Sequence, residues 1–263
     1  MGVCVMAKPM VLVTNDDGIG SFFLELLVEA LVERFDVRVV APKREQSWTG
    51  RAFTRRAPVA VEVVEGMAAP AWAVDGTPSD CVNIGLGCLL DRAPAAVISG
   101  INLGFNVSLP LMLSSGTVAG ATEGALAGLP AVALSQTVAS ESFDAVHAAG
   151  GRGDPALEAS VRAGAARAVT FVGELIERPA PTSPVVHSLN FPARMRGETP
   201  MERTRLAPVR LGGCFAMGDD AVCRFRFPAR SVLAKVDEDT DLACIARGHV
   251  SYTVLDFGAL GGL

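Results

Sequence analysis

A short apolar run, Met10-Val11-Leu12-Val13, breaks abruptly into Thr14-Asn15-Asp16-Asp17-Gly18, and this stretch constrains the fold most. Four apolar residues without alternation suit a parallel strand covered on both faces, with a following helix as one cover. Gly18 marks the turn. Successive side chains of a strand point to opposite faces, so Asp16 and Asp17 can serve one site only where the chain leaves the strand. Open α/β sheets bind ligands beyond the carboxyl ends of their strands, and clustered carboxylate oxygens there suit a hard divalent cation. A solvated turn or helix cap is the competing reading of Asp-Asp-Gly.

The rest of the chain repeats the alternation. Ser21 to Phe35 predicts a buried helix whose wet edge is Glu25, Glu29 and Glu33, and Val37 to Ala41 a second strand, giving one right-handed β-α-β unit. Pro42 to Arg56 is a polar, basic loop carrying Gln46 and Ser47 to the same sheet end as the aspartates. Short strands are expected at Val59 to Val64 and Ala71 to Val74. Thr77-Pro78-Ser79-Asp80 then starts a helix running to about Leu90. Ala95 to Ile98 reads as a buried strand ending in Ser99-Gly100-Ile101-Asn102-Leu103-Gly104-Phe105-Asn106. Ser114-Ser115-Gly116-Thr117 opens a small-residue helix that stops at Gly128, and its N-terminus is either a phosphate cradle or an ordinary cap. Strands at Ala131 to Leu134 and Pro184 to Phe191 flank a long helix, Ala156 to Glu177. From Met201 the chain turns to short β-like runs, including Leu233 to Lys235 and Val250 to Leu255. The expectation is an α/β fold with a mostly parallel sheet over residues 1–200 and a β-rich extension over 201–263.

Composition narrows the functions. Half of the 263 residues are apolar, ample for one core, and the net charge of −5 argues against binding a nucleic-acid polymer. No run approaches bilayer-spanning length, Met1 to Met6 is too short for a signal core, and the cysteines form no Cys-x-x-Cys pair, so no membrane association and a cytoplasmic location are expected. Cys81 and Cys88 read as small core residues of one helix.

The three histidines, His147, His187 and His249, stand in no metal-ligand pair or nucleophile motif. Neither a P-loop nor the dinucleotide-binding glycine pattern occurs. What remains is a set of oxygen donors at three strand ends: Asp16 and Asp17, Ser47, and Asn102. Two carboxylates, a hydroxyl and an amide oxygen leave room for waters, which suits Mg²⁺ or Mn²⁺. Beside a phosphate-cradling helix start, the set supports metal-assisted phosphoester hydrolysis.

These residues fall in a known order. Val13-Thr14-Asn15-Asp16-Asp17-Gly18-Ile19, Ala41-Pro42 with Gln46-Ser47, Gly76-Thr77-Pro78-Ser79-Asp80-Cys81-Val82, Ser99-Gly100-Ile101-Asn102 and Ser115-Gly116-Thr117-Val118 resemble the successive motifs of the SurE survival-protein nucleotidases. Leu189-Asn190-Phe191-Pro192, Thr240-Asp241 and Gly248-His249-Val250-Ser251 extend the resemblance to nearly the whole chain. It implies a Rossmann-like three-layer core, a C-terminal extension used in assembly as a homodimer or homotetramer, and a divalent-metal phosphatase acting on nucleoside 5′- or 3′-monophosphates. By the same resemblance Asp16, Asp17, Ser47 and Asn102 hold one Mg²⁺ or Mn²⁺ per subunit, while Asn106, Ser115, Gly116 and Thr117 face the phosphate. Asp16 or Asp17 is the candidate, by proximity, for taking the attacking water's proton.

The chain departs from the family at the cleft wall. Ser21-Phe22-Phe23 replaces the usual Ala-Pro-Gly, Trp48 replaces a glycine after Gln46-Ser47, and Val107 to Ser114 is about one residue longer and loses an acid near Pro110. Trp48 and Phe53 are each suited to stacking on a base or to packing on the protein. A rival reading follows from the altered segment: a nucleotide- or phosphate-binding protein with weakened turnover on the same fold. Phe215, Phe225, Phe227, Val232 and Leu233 give the extension more apolar surface than a detached arm could expose.

Overall fold

The computed structural model describes residues 7–227 and 236–260. Met1 to Met6, Val232, Leu233 and the Leu233 to Lys235 strand expectation lie outside the described residues.

The first strand, β1 (Met10–Thr14), is fully buried, as its unalternating apolar run requires. Helix α1 (Phe22–Leu31) and strand β2 (Asp36–Pro42) complete the first β-α-β unit. The edge strand β3 (Val61–Val64) and β4 (Ala71–Val74) lead to α2 (Pro78–Ile84). Thr77 and Asp80 close a reciprocal capping box at its start, and a π-helical turn, Gly85–Leu89, extends it. That wider turn changes the helical phase, so Cys81 is buried while Cys88 is exposed, contrary to the expectation that both are core residues.

Strand β5 (Ala96–Leu103) runs five residues beyond the expected Ile98. Its pairing with β6 (Ala131–Gln136) is interrupted after Ser99 and resumes at Asn102, opposite Ser135, so Asn102 is held in the sheet and not in a loop. Between these strands lie α3 (Leu109–Ser114) and α4 (Gly116–Leu126). A short helix, α5 (Phe143–Ala148), precedes the long α6 (Pro155–Ile176) and β7 (Val185–Phe191). The C-terminal part contributes β8 (Met201–Thr204), a separate antiparallel hairpin of β9 (Phe215–Met217) and β10 (Cys223–Phe225), then α7 (Asp241–Ala246) and β11 (Val250–Asp256).

The main sheet has nine strands in the order β3-β4-β2-β1-β5-β6-β7-β11-β8. From β4 to β7 every pair is parallel; β3 pairs antiparallel at one edge, and β11 pairs antiparallel to β7 and parallel to β8. The mostly parallel α/β sheet expected from the sequence is present, with extra C-terminal strands joined to it. Alternation of side chains sorts the core into two layers. Val11 and Val13 pack with Phe23, Leu27 and Val161 of α1 and α6, whereas Leu12 faces Cys81 and Val82 of α2. Helix α4 approaches the sheet through a stripe of glycines: β-carbons at Gly120 and Gly124 would fall 2.9 Å from Thr14 Cγ2 and 2.5 Å from Val97 Cβ. Among the described residues no helix is long and apolar enough to cross a membrane.

Strand order reverses direction around β1. The chain moves outward from β1 through β2 to β4, then crosses back to place β5 on the other side. The crevice at the carboxyl ends of β1 and β5 is thus the topological switch point, where sheets of this kind bind ligands. Asp16 and Asp17 follow β1 there, and Asn102 is the last residue but one of β5.

Candidate active site

A cleft of about 440 Å³ opens at the switch point, and Asp16, Ser47, Asn102, Asn106 and Ser115 all line it. Its volume is within the usual range for small-molecule sites. Asp17 lines an adjoining cavity of about 270 Å³ together with Lys43, Glu45 and His147. Leu103 lines both, so the neighbouring aspartates stand where the two spaces meet. Gly116 and Thr117 stand behind Asp16: a β-carbon at Gly116 would fall 2.7 Å from Asp16 Cβ, and the Thr117 hydroxyl donates to Asp16 Oδ1 at 2.7 Å.

Each candidate is fixed by identifiable bonds. Asn106 Nδ2 donates to Thr117 Oγ1 at 3.2 Å and to Ser135 Oγ at 2.9 Å, while its backbone N–H donates to Asn190 Oδ1 at 2.8 Å. Ser115 caps α4 by accepting from the Val118 N–H at 3.1 Å. Asn102 Nδ2 donates to the Gly104 carbonyl at 2.9 Å, leaving the amide oxygen for another partner. Ser47 donates to Glu45 Oε1 at 2.6 Å, and Glu45 Oε2 meets His147 Nε2 at 3.0 Å.

The loop after β2 is clamped at several points, which places Ser47. The Gln46 N–H donates to the Asp16 carbonyl at 2.7 Å and the Gly50 N–H to the Ser114 carbonyl at 3.0 Å. Thr54 donates through its N–H and its hydroxyl to Asp80, at 3.0 and 2.7 Å, and the Thr77 hydroxyl donates to the Ala52 carbonyl at 2.7 Å. Burial pushes the Asp80 carboxyl up, but the bonds from Thr54 and Thr77 together outweigh it and hold the group below the usual range. Arg51 reaches the buried Glu123 on α4, with Nε 2.5 Å from Oε1.

In the sequence Thr77 and Asp80 read as a helix start and as part of a resembling motif; their second task as loop anchors had no local signal. Asn190 and Asp241 belonged to resembling motifs without an assigned contact. Asp241, buried at the start of α7, accepts from the Ser108 N–H at 2.6 Å and the Ala207 N–H at 2.9 Å. It thereby holds the altered Val107 to Ser114 segment, where Ser108 has φ of +69°.

The electrostatics of the aspartate pair suit a cation. Burial pushes the Asp16 carboxyl up to about 6, opposed by bonds from Thr117. Burial, and after it the charge of Asp16, raises Asp17 well above the ordinary value, opposed by the Leu103 N–H, which donates to Asp17 Oδ2 at 2.8 Å. The outside charge acting on both is Glu45, also negative. Adjacent buried acids, with the Asn102 amide oxygen and the Ser47 hydroxyl lining the cleft beside Asp16, fit a hard divalent ion.

Comparison with known proteins agrees with this architecture. The sequence matches the family model described as Survival protein SurE over residues 11–212. A protein named 5'-nucleotidase SurE from Synechococcus elongatus is 39% identical over 206 residues, covering 76% of this chain and 69% of that one. Its namesake from Methanosarcina mazei is 32% identical over 251 residues, 93% and 91% of the two chains. With the Trichormus variabilis protein of the same name the match is shorter, 48% identical over 130 residues, and this chain spans about half of that relative's length, 49%. The crystal structure of the SurE protein from Aquifex aeolicus aligns over 97% of this chain and 98% of its own with a TM-score of 0.73 at 26% identity. The chain belongs to the SurE family.

Proposed function

We propose that this chain is a divalent-metal-dependent phosphomonoesterase that hydrolyses nucleoside 5′- or 3′-monophosphates. The observation that carries the reading is the bonded series Asn190–Asn106–Thr117–Asp16, which joins a buried strand-end carboxylate to the first turn of α4 and brings Asp16 and Asn106 to one cleft. The name 5'-nucleotidase carried by the relatives supports the same chemistry.

Asp16, Asp17, Ser47 and Asn102 are the residues that would hold a Mg²⁺ or Mn²⁺ ion. Such an ion supplies Lewis-acid polarisation of the phosphoryl oxygen and offsets developing negative charge. Asn106, Ser115 and the backbone N–H groups of Gly116 and Thr117 face the phosphate, since the first turn of a helix leaves its N–H groups without intrahelical partners. The Thr117 hydroxyl holds Asp16 in one orientation. Water attacks phosphorus in line with the ester oxygen; the new P–O bond forms as the ester P–O bond breaks, one proton of the water passes to Asp16 or Asp17, the acceptors by proximity, and the departing alkoxide takes that proton back from the carboxyl. The products are a nucleoside and inorganic phosphate.

The substrate is a small molecule, and the reading includes a cytoplasmic location and a homodimer or homotetramer. Support for assembly comes from the β9–β10 hairpin, where Phe215 and Met217 are exposed. The test is phosphate release from a panel of nucleoside 5′- and 3′-monophosphates and an aryl phosphate, with Mg²⁺, with Mn²⁺ and with EDTA. Release that needs the metal supports the enzyme. Folded protein that is stabilised by metal and nucleotide yet releases nothing supports the binding-protein rival.

A further inference from the structure

One residue of the cleft wall is held in a conformation its side chain disfavours. Trp48 stands where the resembling family has glycine, and its φ of +62° lies in the left-handed region that glycine adopts freely and a bulky L-residue rarely does. Core packing does not account for it, because Trp48 is 44% exposed.

The ring is nonetheless oriented. Its centroid lies 4.9 Å from that of Phe225, at 61°, and 6.0 Å from that of Phe227, at 68°. Phe225 belongs to β10 and Phe227 follows it, so a distant part of the chain supports the loop aromatic. Both pairs leave Trp48 with surface open to a flat partner, as its exposure shows. All three rings line the same cleft as Asp16, Ser47 and Asn102. The other aromatic of this loop, Phe53, packs against the Arg51 guanidinium at 5.2 Å and does not line the cleft.

We propose that Trp48, supported by Phe225 and Phe227, is the nucleobase platform of this cleft and sets a preference for nucleotides over base-free phosphate esters. The proposal rests on the phosphomonoesterase reading and deepens it. Trp48 directly follows Ser47, and both line the cleft that holds Asp16, Asn106 and Ser115, so the ring and the polar groups share one ligand space. Stacking on an aromatic side chain tolerates any base, so the preference is for the presence of a base and not its identity.

The test compares adenosine 5′-monophosphate with ribose 5-phosphate, which differ only in the base, on wild type, Trp48→Gly and Trp48→Phe. Glycine suits the left-handed backbone, so Trp48→Gly folds without new strain. It should lower kcat/KM for the nucleotide about tenfold more than for the sugar phosphate, and Trp48→Phe should restore part of the difference. The chain has two tryptophans, Trp48 and Trp72, so in a Trp72→Phe background the emission of Trp48 is read alone. Adenosine, which carries no phosphate, should quench it with or without metal. Equal losses on the two substrates, or no quenching, overturn the platform even if the nucleotide is hydrolysed. If neither substrate is hydrolysed, the phosphomonoesterase reading fails, and adenosine quenching still decides the platform.

Discussion

The Thr117 hydroxyl donates to Asp16 Oδ1 at 2.7 Å, tying the first turn of α4 to the end of β1 across 101 residues of sequence. The same oxygen accepts from Asn106 Nδ2, so one threonine orients a carboxylate and is itself oriented by an amide. Thr117→Val keeps the shape and removes the donor. A hydrogen bond to a charged group is worth about 1.5–3 kcal/mol, so kcat should fall roughly 10- to 100-fold in steady-state assays, with Thr117→Ser keeping most of the rate.

Gly116 is required by space. The β-carbon of an alanine there would lie 2.7 Å from Asp16 Cβ and 3.0 Å from Asp16 Oδ2, closer than side chains approach. Gly116→Ala should displace the carboxylate and reduce activity by about 100-fold, the usual cost of misplacing a reacting group by about 1 Å. Circular dichroism should still show the α/β fold.

The aspartate pair predicts an unusual pH dependence in metal-free protein. Burial holds Asp16 near 6 and Asp17 well above the ordinary 3.8. Both folded values exceed the unfolded ones, so the folded chain binds more protons. The stability these groups contribute is full below about pH 4 and is lost as pH rises through 6 and beyond. In EDTA, the melting temperature of wild type should therefore fall relative to Asp17→Asn between about pH 4 and pH 8. Saturating Mg²⁺ or Mn²⁺ should raise wild type more than the variant at pH 8. Parallel curves for the two proteins would contradict this.

Asp241 accepts backbone N–H groups from Ser108, Ala207 and Leu242. An asparagine there has one acceptor oxygen and turns an NH₂ group toward a donor. Asp241→Asn should cost about 1–3 kcal/mol, a fall in melting temperature of roughly 2–10 °C by thermal scan. Because Ser108 follows Asn106 by two residues, the KM for a nucleoside monophosphate should rise as well.

Much of this arrangement was readable from residues close in sequence. The β1 run, the acid pair after it, the polar segment after β2 and the small-residue start of α4 all carry their signals locally. The reach of β5 to Leu103 was not, because its pairing resumes only by meeting Ser135 of β6. The insertion of β11 between β7 and β8 likewise depends on partners far along the chain. Short helices α5 and α7 span six residues each, too few to show periodicity. The anchoring of Asn106 by Asn190 and of Ser108 by Asp241 rests on bonds across 84 and 133 residues that no spacing rule reveals. Trp48 shows the same limit: its left-handed backbone and its contacts with Phe225 and Phe227 required the folded chain.

The most direct measurement is metal-dependent phosphate release from a nucleoside 5′-monophosphate by wild type and Asp16→Asn, with Mn²⁺ binding to each followed by calorimetry. Wild type should release phosphate in a reaction that EDTA abolishes, and Asp16→Asn should fold, bind Mn²⁺ at least tenfold more weakly and lose nearly all turnover. An Asp16→Asn variant with undiminished metal-dependent release would contradict the assignment of this cleft as the catalytic centre.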